Sequence, residues 1–240
     1  DVADTTLAEA ELEVDAVTQK IATRRKKLLI ADMDSTMVTG ETLDELAEFA
    51  GVKDRVAAIT ARAMNGELDF EAALDERVGL LDGLSTDMLA EAWKTVEYTG
   101  GAKTLVATMK ANGAFAALVS GGFDFFTAAV RKELGFDFDQ ANVLMTKDGK
   151  LTGKVQKPVL DRQAKVDALE NLTEEHGMTV DDAMAVGDGA NDLQMISLAG
   201  TGVAFHAKPS VREQARICIN HGDLTALLYL QGYRKSEFVV

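Results

Sequence analysis

KLLIADMDST, residues 27–36, joins a short apolar run to a group of polar side chains. The run contains four apolar residues with no polar residue among them, which is typical of a strand buried on both faces of a parallel sheet. Asp32 and Asp34 follow the run directly. The segment therefore predicts a central parallel strand that ends at a pair of carboxylates.

Two other apolar runs end in polar residues in the same way. AALV, residues 116–119, leads into Ser120-Gly121-Gly122, and MAVG, residues 184–187, leads into a second polar group at 188–192. The carboxyl ends of parallel strands lie at one edge of an open α/β sheet, and ligands bind there. We therefore predict that the three polar groups meet in one site.

Apolar runs and segments of helical spacing alternate after Gly100-Gly101. This alternation predicts an open α/β sheet with parallel pairing and right-handed crossovers. A hairpin is predicted at residues 147–150, where Asp-Gly forms the two-residue loop. The other predicted elements are helices over 102–111, 123–134, 159–175 and 223–230, a short helix from Ser210, and strands over 114–119, 183–187, 201–205 and 216–219.

Residues 41–98 differ from the rest of the chain because they contain no strand pattern and are rich in acidic residues, 14 against five basic ones. Helical spacing predicts helices over 42–50, 53–64, 70–81 and 86–96. We predict that residues 41–98 form a small helical cap inserted into an α/β core of residues 27–40 and 99–240. Residues 1–26 are predicted to form a helical extension, because apolar residues show helical spacing over 7–25.

The charge of the chain limits its partners. The 39 acidic and 25 basic residues give a formal net charge of −14, which disfavours binding to nucleic acid. No apolar run approaches the ~18 residues that cross a bilayer, and no apolar signal segment is present. The single Cys218 excludes a disulfide framework. We expect a cytoplasmic protein, monomeric or homodimeric, that binds neither nucleic acid nor a membrane.

Four aspartates are predicted at the same edge of the sheet: Asp32, Asp34, Asp188 and Asp192. Carboxylates this close repel one another unless protons or a cation neutralise them. Mg²⁺ prefers carboxylate and carbonyl oxygens together with retained waters, so we predict a Mg²⁺ site. One carboxylate would then be free to attack phosphorus, and the second group of the Asp-x-Asp pair can transfer protons.

The remaining polar residues suit a phosphate. Ser120 and the amides of Gly121 and Gly122 are predicted at a strand-to-helix turn, where free N–H groups and the helix dipole favour an anion. Lys165 can supply a fixed positive charge. Each feature has an ordinary structural alternative, since Asp-x-Asp pairs and Asn191 can cap helices, Ser-Gly-Gly forms loops and lysines are commonly solvated. Their order along the chain, each group after a strand, favours a site.

The ordered motifs resemble those of the haloacid dehalogenase superfamily of aspartate-nucleophile phosphatases. Within it, the chain is similar to the phosphoserine phosphatase family, whose helical cap lies where residues 41–98 lie here. The segment Met64-Asn-Gly-Glu-Leu-Asp-Phe70, followed by Arg77, looks like that family's substrate-recognising cap segment. The resemblance covers about residues 27–230 and implies a Rossmann-like open parallel sheet with an inserted helical cap.

For the core, the resemblance implies that Asp32 is the nucleophile and Asp34 the general acid/base. Both would bind Mg²⁺, Asp34 through its backbone carbonyl. Asp188 would bind the ion directly, while Asp192 would support the metal shell and Lys165. The residues implied to surround the phosphoryl group are Ser120, Gly121, Gly122, Lys165 and, nearby, Asn191.

For the cap, the resemblance implies that Glu41 meets the substrate ammonium and that Arg77 binds its carboxylate. Met64 and Phe70 would form an apolar wall. The ordinary alternative for Arg77 is a surface salt bridge with the acidic pair at 75–76. Gly100 stands where the family is expected to have proline, which concerns the stiffness of the cap hinge and not the chemistry.

The activity that the resemblance implies is Mg²⁺-dependent hydrolysis of O-phospho-L-serine through an aspartyl-phosphate, the last step of serine biosynthesis. One alternative passes the phosphoryl group to another alcohol such as homoserine, because water and alcohol acceptors use the same residues. Glycosyl transfer from nucleotide sugars also uses Asp-x-Asp but leaves Ser120 and the group at 188–192 unexplained. A non-catalytic Mg²⁺- or phosphate-binding module predicts loss of the nucleophile or the lysine, and both are present.

Overall fold

A computed structural model describes residues 14–64 and 67–240, without the side chain of Met64. Its main feature is a six-stranded sheet of order β3-β2-β1-β6-β7-β8, in which every neighbouring pair is parallel. A separate antiparallel hairpin is formed by β4 and β5. The predicted α/β class and open parallel sheet are confirmed. The strands are β1 Leu28–Ala31, β2 Phe115–Phe123, β3 Phe138–Asn142, β4 Leu144–Lys147, β5 Lys150–Val155, β6 Ala183–Gly187, β7 Thr201–Phe205 and β8 Ile217–Ile219.

Helices cover both faces of the sheet and fill the segment between β1 and β2. The α-helices are α1 Thr42–Phe49, α2 Lys53–Met64, α3 Phe70–Gly79, α4 Asp87–Trp93, α5 Ala102–Ala111, α6 Asp124–Leu134, α7 Arg162–Glu175, α8 Leu193–Leu198, α9 Pro209–Arg212 and α10 Ala226–Leu230. The first four agree with the helices predicted for the cap. None of the helices in the described residues is long and apolar enough to cross a membrane.

The central strand β1 is inaccessible on both faces, as its unbroken apolar run predicts. Leu28 and Ile30 belong to the apolar cluster that includes residues of α7 and α8. Leu29 and Ala31 belong to the larger cluster that includes residues of α5, α6 and α10. Side chains alternate between the faces of a strand, so four consecutive apolar residues join both halves of the core.

The hairpin β4–β5 connects the α/β core to the helical segment that precedes β2. Its loop residues Asp148 and Gly149 have φ angles of +51° and +73°, as the predicted Asp-Gly turn requires. The backbone N–H of Gly83 donates to Leu151 O at 2.9 Å, and Leu151 N–H donates to Leu84 O at 2.8 Å. The hairpin therefore gives the helical segment a third point of contact, in addition to the two chain connections that join it to the core.

Several predicted boundaries were wrong. Strand β2 continues to Phe123 instead of ending at 119, and α7 begins at Arg162 because Asp161 caps it by accepting hydrogen bonds from two backbone amides. Strand β3 was not predicted, since FDFDQAN carries two acidic residues and no apolar run. It forms because its backbone pairs with the exposed edge of β2.

The predicted N-terminal helix is also wrong for the residues that the structure describes. Residues 14–20 have no regular secondary structure, and only Ile21–Thr23 forms a short 3₁₀ turn. Asp15 instead accepts hydrogen bonds from the backbone amides of Asn220 and His221, at 3.0 and 2.8 Å. These tertiary hydrogen bonds hold the segment extended against the core. The rest of that prediction, residues 1–13, lies outside the described residues.

Candidate active site

A buried lysine lies between two aspartates at the carboxyl edge of the sheet. The Nζ atom of Lys165 is 2.6 Å from Asp32 Oδ1 and 2.5 Å from Asp192 Oδ1. Asp32 follows β1, Asp192 follows β6, and Lys165 lies in the first turns of α7. All three side chains are buried, so the structure brings these three predicted residues together.

Electrostatics at this triad are dominated by burial. Burial and the neighbouring Asp192 carboxylate raise the pKa of Asp32, whereas the Lys165 ammonium opposes that rise. Burial lowers the pKa of Lys165, but Asp32 and Asp192 outweigh it and the net pKa lies above the ordinary value. Lys165 therefore remains protonated and presents a fixed positive charge next to Asp32.

Asp34 occupies a different environment from Asp32. The chain makes a wide turn over Met33–Met37, in which Ser35 has a φ angle of +55°. Asp34 Oδ1 accepts a hydrogen bond from the Thr42 backbone N–H at 2.8 Å, and Asp34 Oδ2 lies 3.4 Å from the Ser120 hydroxyl. Burial and the nearby Glu41 carboxylate raise the pKa of Asp34 to about 7. A carboxyl group with this pKa can both donate and accept a proton near neutral pH.

The third polar group adds Asp188 to the site. Oxygen atoms of Asp32, Asp188 and Asp192 lie within 4.8 Å of one another, and Asp188 Oδ1 accepts a hydrogen bond from Thr36 at 3.3 Å. Burial and the Asp192 carboxylate raise the pKa of Asp188 to about 6. Three buried carboxylates face the single ammonium of Lys165, and this excess of negative charge and hard oxygen donors suits a divalent cation.

The two oxygens of Asp192 are already engaged. Oδ1 pairs with Lys165, and Oδ2 accepts a hydrogen bond from the Gly189 backbone N–H at 2.9 Å. Gly187 is required here, because a Cβ at that position would lie 2.4 Å from Asp192 Cγ. Asn191 is half-buried beside this turn.

Ser120-Gly121-Gly122 lies inside strand β2 and not in the predicted strand-to-helix turn, since α6 begins only at Asp124. The pairing of β2 with β3 shifts register between Val119 and Phe123, so the three residues form an irregularity in the strand. The Gly122 N–H donates to Ser120 Oγ at 2.9 Å. A Cβ on Gly122 would lie 2.7 Å from Asp34 Oδ2, so a larger residue would displace that carboxylate.

The predicted cap residues border the same site. A Cβ on Gly121 would lie 3.7 Å from the Phe70 ring, so Phe70 lies beside Gly121. Glu41 accepts a hydrogen bond from the Ser35 hydroxyl at 3.0 Å. The side chain of Met64 lies outside the described residues. The helical segment between β1 and β2 therefore contacts the sheet next to the polar groups.

Arg77 is half-buried, and its Nε donates to Ala73 O at 3.1 Å. Burial lowers the pKa of the Arg77 guanidinium, while Asp44 and Glu41 oppose that shift. Among the residues that the structure describes, no carboxylate lies within 4.0 Å of Arg77. The expected surface partners are engaged elsewhere, because Asp75 pairs with Lys157 and Glu76 pairs with Arg62.

Sequence reasoning missed several residues that shape the site. The Thr36 hydroxyl bonds to Asp188 and the Thr42 backbone N–H bonds to Asp34, and no role was predicted for either residue. Lys208 is exposed, but its charge lowers the pKa of Asp188 against the effect of burial. Asn142 was missed because it lies on the unpredicted strand β3, and its side chain bonds to Gly121 O at 2.9 Å.

The fold and the site together define a class of enzyme. The sequence profile of haloacid dehalogenase-like hydrolases matches residues 29–197, which include all of β1 but its first residue, the helical segment and the turn after β6. The chain belongs to the haloacid dehalogenase-like hydrolase family.

Within that family the chain is similar to phosphoserine phosphatases. It is 44% identical over 205 residues to the phosphoserine phosphatase of Methanocaldococcus jannaschii, covering 85% of this chain and 97% of that one. It is 42% identical over 226 residues to the phosphoserine phosphatase of Streptomyces coelicolor, covering 94% of this chain but only 55% of that relative. The chain thus spans about half the length of the Streptomyces relative.

A solved structure of a phosphoserine phosphatase that carries an analogue of the phospho-aspartyl intermediate superimposes with a TM-score of 0.79. The two chains are 44% identical, and the match covers 85% of this chain and 98% of the other. The helical segment and the sheet described above therefore have the arrangement of a phosphatase that forms an aspartyl-phosphate.

Proposed function

We propose that this chain hydrolyses O-phospho-L-serine to L-serine and inorganic phosphate, with Mg²⁺ as its metal ion. The observation that carries the proposal is the 2.6 Å contact between Asp32 Oδ1 and Lys165 Nζ at the buried end of β1. A carboxylate held beside a fixed cation, with a second carboxyl group of pKa about 7 nearby, is suited to phosphoryl transfer. The similarity to phosphoserine phosphatases supports the same assignment.

In the first half-reaction, a carboxylate oxygen of Asp32 attacks phosphorus and the bond from phosphorus to the serine oxygen breaks. Asp34, protonated in part of the molecules near neutral pH, donates its proton to the leaving serine oxygen. The products are free serine and an aspartyl-phosphate on Asp32. Lys165 lies next to the attacking carboxylate and stabilises the phosphoryl oxygens as negative charge develops.

In the second half-reaction, water attacks the phosphorus of the aspartyl-phosphate. Asp34, now ionised, accepts the proton of that water, and the bond between phosphorus and Asp32 breaks. Inorganic phosphate is released, Asp32 is a carboxylate again and Asp34 is again protonated. Ser120, Gly121, Gly122 and Lys165 hold the phosphoryl oxygens through both halves, with Asn191 beside them.

Asp32, Asp188 and the backbone carbonyl of Asp34 are proposed to hold Mg²⁺. When bound, the ion supplies positive charge that offsets the buried carboxylates and the charge of the phosphoryl group. Asp192 is proposed to act indirectly, because Lys165 and the Gly189 amide already engage its two oxygens. In this arrangement Asp192 fixes the position of Lys165.

Selectivity for phosphoserine is proposed to come from the cap. Arg77 is half-buried and has no carboxylate within 4.0 Å among the described residues, so its guanidinium is available for the carboxylate of the substrate. Glu41, which begins the helical segment next to Asp34, is proposed to meet the substrate ammonium. Phe70 and Met64 are proposed to form the apolar wall between them.

The test is release of inorganic phosphate from O-phospho-L-serine by the purified chain. We expect turnover with Mg²⁺, none after exhaustive chelation with EDTA, and little with Ca²⁺, whose larger and looser coordination shell misplaces the reacting oxygen. Full activity after chelation, or no activity on phosphoserine while p-nitrophenyl phosphate is hydrolysed, would contradict the proposal. Product analysis with added homoserine separates hydrolysis from phosphoryl transfer to an alcohol.

A further inference from the structure

Asn142, at the end of β3, contacts the irregular part of β2 that carries Ser120-Gly121-Gly122. Val119 pairs with Gln140 and Phe123 pairs with Asn142, so three residues of β2 lie opposite a single residue of β3. A regular ladder cannot bond all the backbone groups of such a bulge. The Nδ2 atom of Asn142 donates to Gly121 O at 2.9 Å, which gives that carbonyl a partner from a side chain.

This hydrogen bond also fixes the direction of the next N–H group. In a trans peptide the C=O and the following N–H point in opposite directions. With Gly121 O held towards Asn142, the Gly122 N–H points towards Ser120 Oγ, to which it donates at 2.9 Å. Ser120 Oγ lies 3.4 Å from Asp34 Oδ2, so the N–H faces the site.

The other end of the same amide holds a second segment of the site. Asn142 Oδ1 accepts a hydrogen bond from the Leu160 N–H at 2.7 Å, and its Nδ2 also lies 3.4 Å from Leu160 O. Leu160 directly precedes Asp161, the cap of the helix that carries Lys165. Asn142 is buried, with 2% exposure, and both ends of its side chain are bonded. Neither end can rotate without leaving a buried polar group unpaired.

We propose that Asn142 is a positioning residue for phosphoryl transfer: its amide orients the Gly121–Gly122 peptide so that the Gly122 N–H holds the Ser120 hydroxyl towards the phosphoryl group, and it aligns the start of α7. This proposal depends on the proposed function in one respect: it takes a phosphoryl group as the ligand that binds at the carboxyl edge of the sheet. Asn142 acts through the peptide and not by contact with the reacting atoms.

Two variants separate the two bonds of Asn142. Asn142→Ala removes both, whereas Asn142→Asp keeps the acceptor for Leu160 N–H and loses the donor to Gly121 O. Removing a preorganised hydrogen-bond donor, or misplacing it by about 1 Å, lowers the rate of the catalysed reaction by roughly 10²-fold. We expect both variants to lose roughly 10- to 100-fold in kcat/KM on phosphoserine and on p-nitrophenyl phosphate alike, because the peptide serves any phosphate monoester.

The matched control is Asn112→Ala, which removes an exposed asparagine whose Nδ2 donates to Thr108 O at 2.8 Å. It should retain wild-type kinetics. All assays are run well below the melting temperature of each variant and are normalised to the folded fraction, because loss of buried hydrogen bonds also lowers stability. Titration calorimetry with inorganic phosphate and Mg²⁺ should show weaker phosphate binding in both Asn142 variants.

If Asn142→Asp showed wild-type kinetics and phosphate affinity, the proposal that Asn142 orients the peptide would be wrong, even if Asn142→Ala were impaired. Losses confined to phosphoserine would overturn it as well, since they would indicate an effect on the cap. If the wild-type chain failed on phosphoserine, the proposed function would be wrong. The same comparison on p-nitrophenyl phosphate, or by phosphate calorimetry without turnover, would still decide the role of Asn142.

Discussion

Lys165 Nζ lies 2.6 Å from Asp32 Oδ1, and both side chains are almost inaccessible to solvent. An unpaired buried ammonium or carboxylate is strongly unfavourable, so each residue stabilises the charged form of the other. Removing one partner leaves the other buried and uncompensated. The pair holds Asp32 at the edge of the sheet beside a fixed positive charge, although burial and the Asp192 carboxylate still raise the pKa of Asp32 above its ordinary value.

The substitution Asp32→Asn tests the nucleophile. Asparagine is nearly isosteric but attacks phosphorus poorly, so we expect kcat to fall by at least ~10³-fold while the fold is retained. The control is Asp167→Asn, the same chemical change at an exposed position on α7, and it should leave kcat unchanged. Turnover near the wild-type level, with deamidation back to aspartate excluded by mass spectrometry, would reject Asp32 as the nucleophile.

The raised pKa of Asp188, about 6, predicts how metal binding depends on pH. Below that pKa the carboxyl group holds a proton that a cation must displace. We expect the increase in melting temperature caused by Mg²⁺ to be large at pH 7.5 and to shrink as the pH falls through 6. An equal increase at pH 5 and pH 7.5 would exclude Asp188 as a metal ligand.

In the metal-free chain the effect of pH is the opposite, because the contribution of Asp188 to stability falls as the pH rises. A raised pKa means that the folded state binds the proton more tightly than the unfolded state, so the contribution of Asp188 to stability is lost as the pH rises from about 4 to 6. Metal-free Asp188→Asn should therefore be more stable than wild type at pH 7.5, by up to about 3 kcal/mol, with little gain at pH 4. Chemical denaturation measures this, with Asp148→Asn in the exposed hairpin loop as the control.

Arg77→Ala tests selectivity. A charge-assisted pair in a desolvated site contributes ~2–5 kcal/mol, so we expect kcat/KM for phosphoserine to fall by ~10²-fold or more. Activity on p-nitrophenyl phosphate, which has no carboxylate, should fall far less. Arg62→Ala is the matched control because Arg62 lies on the neighbouring helix and pairs with Glu76 at the surface. Equal losses on both substrates would indicate that Arg77 supports the fold and not selectivity.

Gly122→Ala tests the close approach of β2 to Asp34. The added Cβ would lie 2.7 Å from Asp34 Oδ2 and 3.1 Å from Ser120 Oγ, so both groups must move. Because a shift of about 1 Å costs roughly 10²-fold in rate, kcat should fall to that extent on every phosphate monoester. Gly79→Ala, where a Cβ meets nothing within 4 Å, should keep wild-type kcat. Wild-type rates for Gly122→Ala would show that the position of Asp34 is not critical.

The last prediction is that the hairpin β4–β5 contributes to cap closure. We expect the cap to open about segments near Gly40 and Gly100-Gly101 to admit substrate, and the hairpin contacts the helical segment at a third place. A Cβ on Gly153 would lie 2.9 Å from Asp82 Cβ. Gly153→Ala should separate these surfaces, lower the free energy of unfolding by about 1–3 kcal/mol and raise KM for phosphoserine.

Gly149→Ala provides the control for that variant, because Gly149 also has a positive φ angle but a Cβ there meets nothing within 4 Å. The difference in unfolding free energy between the two variants measures the contact and not the backbone strain. If both variants unfolded with equal free energy and equal KM, the hairpin would have no part in holding the cap.

Local sequence determined the elements that carry the chemistry. The apolar run before Asp32 and the run before Asp188 each bury both faces of a strand, and that requirement is written in consecutive residues. The order of these strands then placed Asp32, Asp188 and Asp192 at one edge, because parallel strands end on the same side of a sheet. For these aspartates, sequence pattern and topology were sufficient, whereas Lys165, which lies on a helix, was assigned through the resemblance to the phosphatase family.

Tertiary structure decided the features that depend on partners distant in the sequence. Strand β3 has no apolar pattern of its own and forms by pairing with the edge of β2, which is why Asn142 could not be predicted. Ser120-Gly121-Gly122 became a bulged strand because β3 pairs on both sides of it, and residues 14–20 stay extended because Asp15 bonds to the loop at 220–221. The pKa of Asp34 likewise depends on burial beneath the cap. Burial patterns are local properties of a sequence, whereas the partners of a hydrogen bond or a charge are set only when the chain has folded.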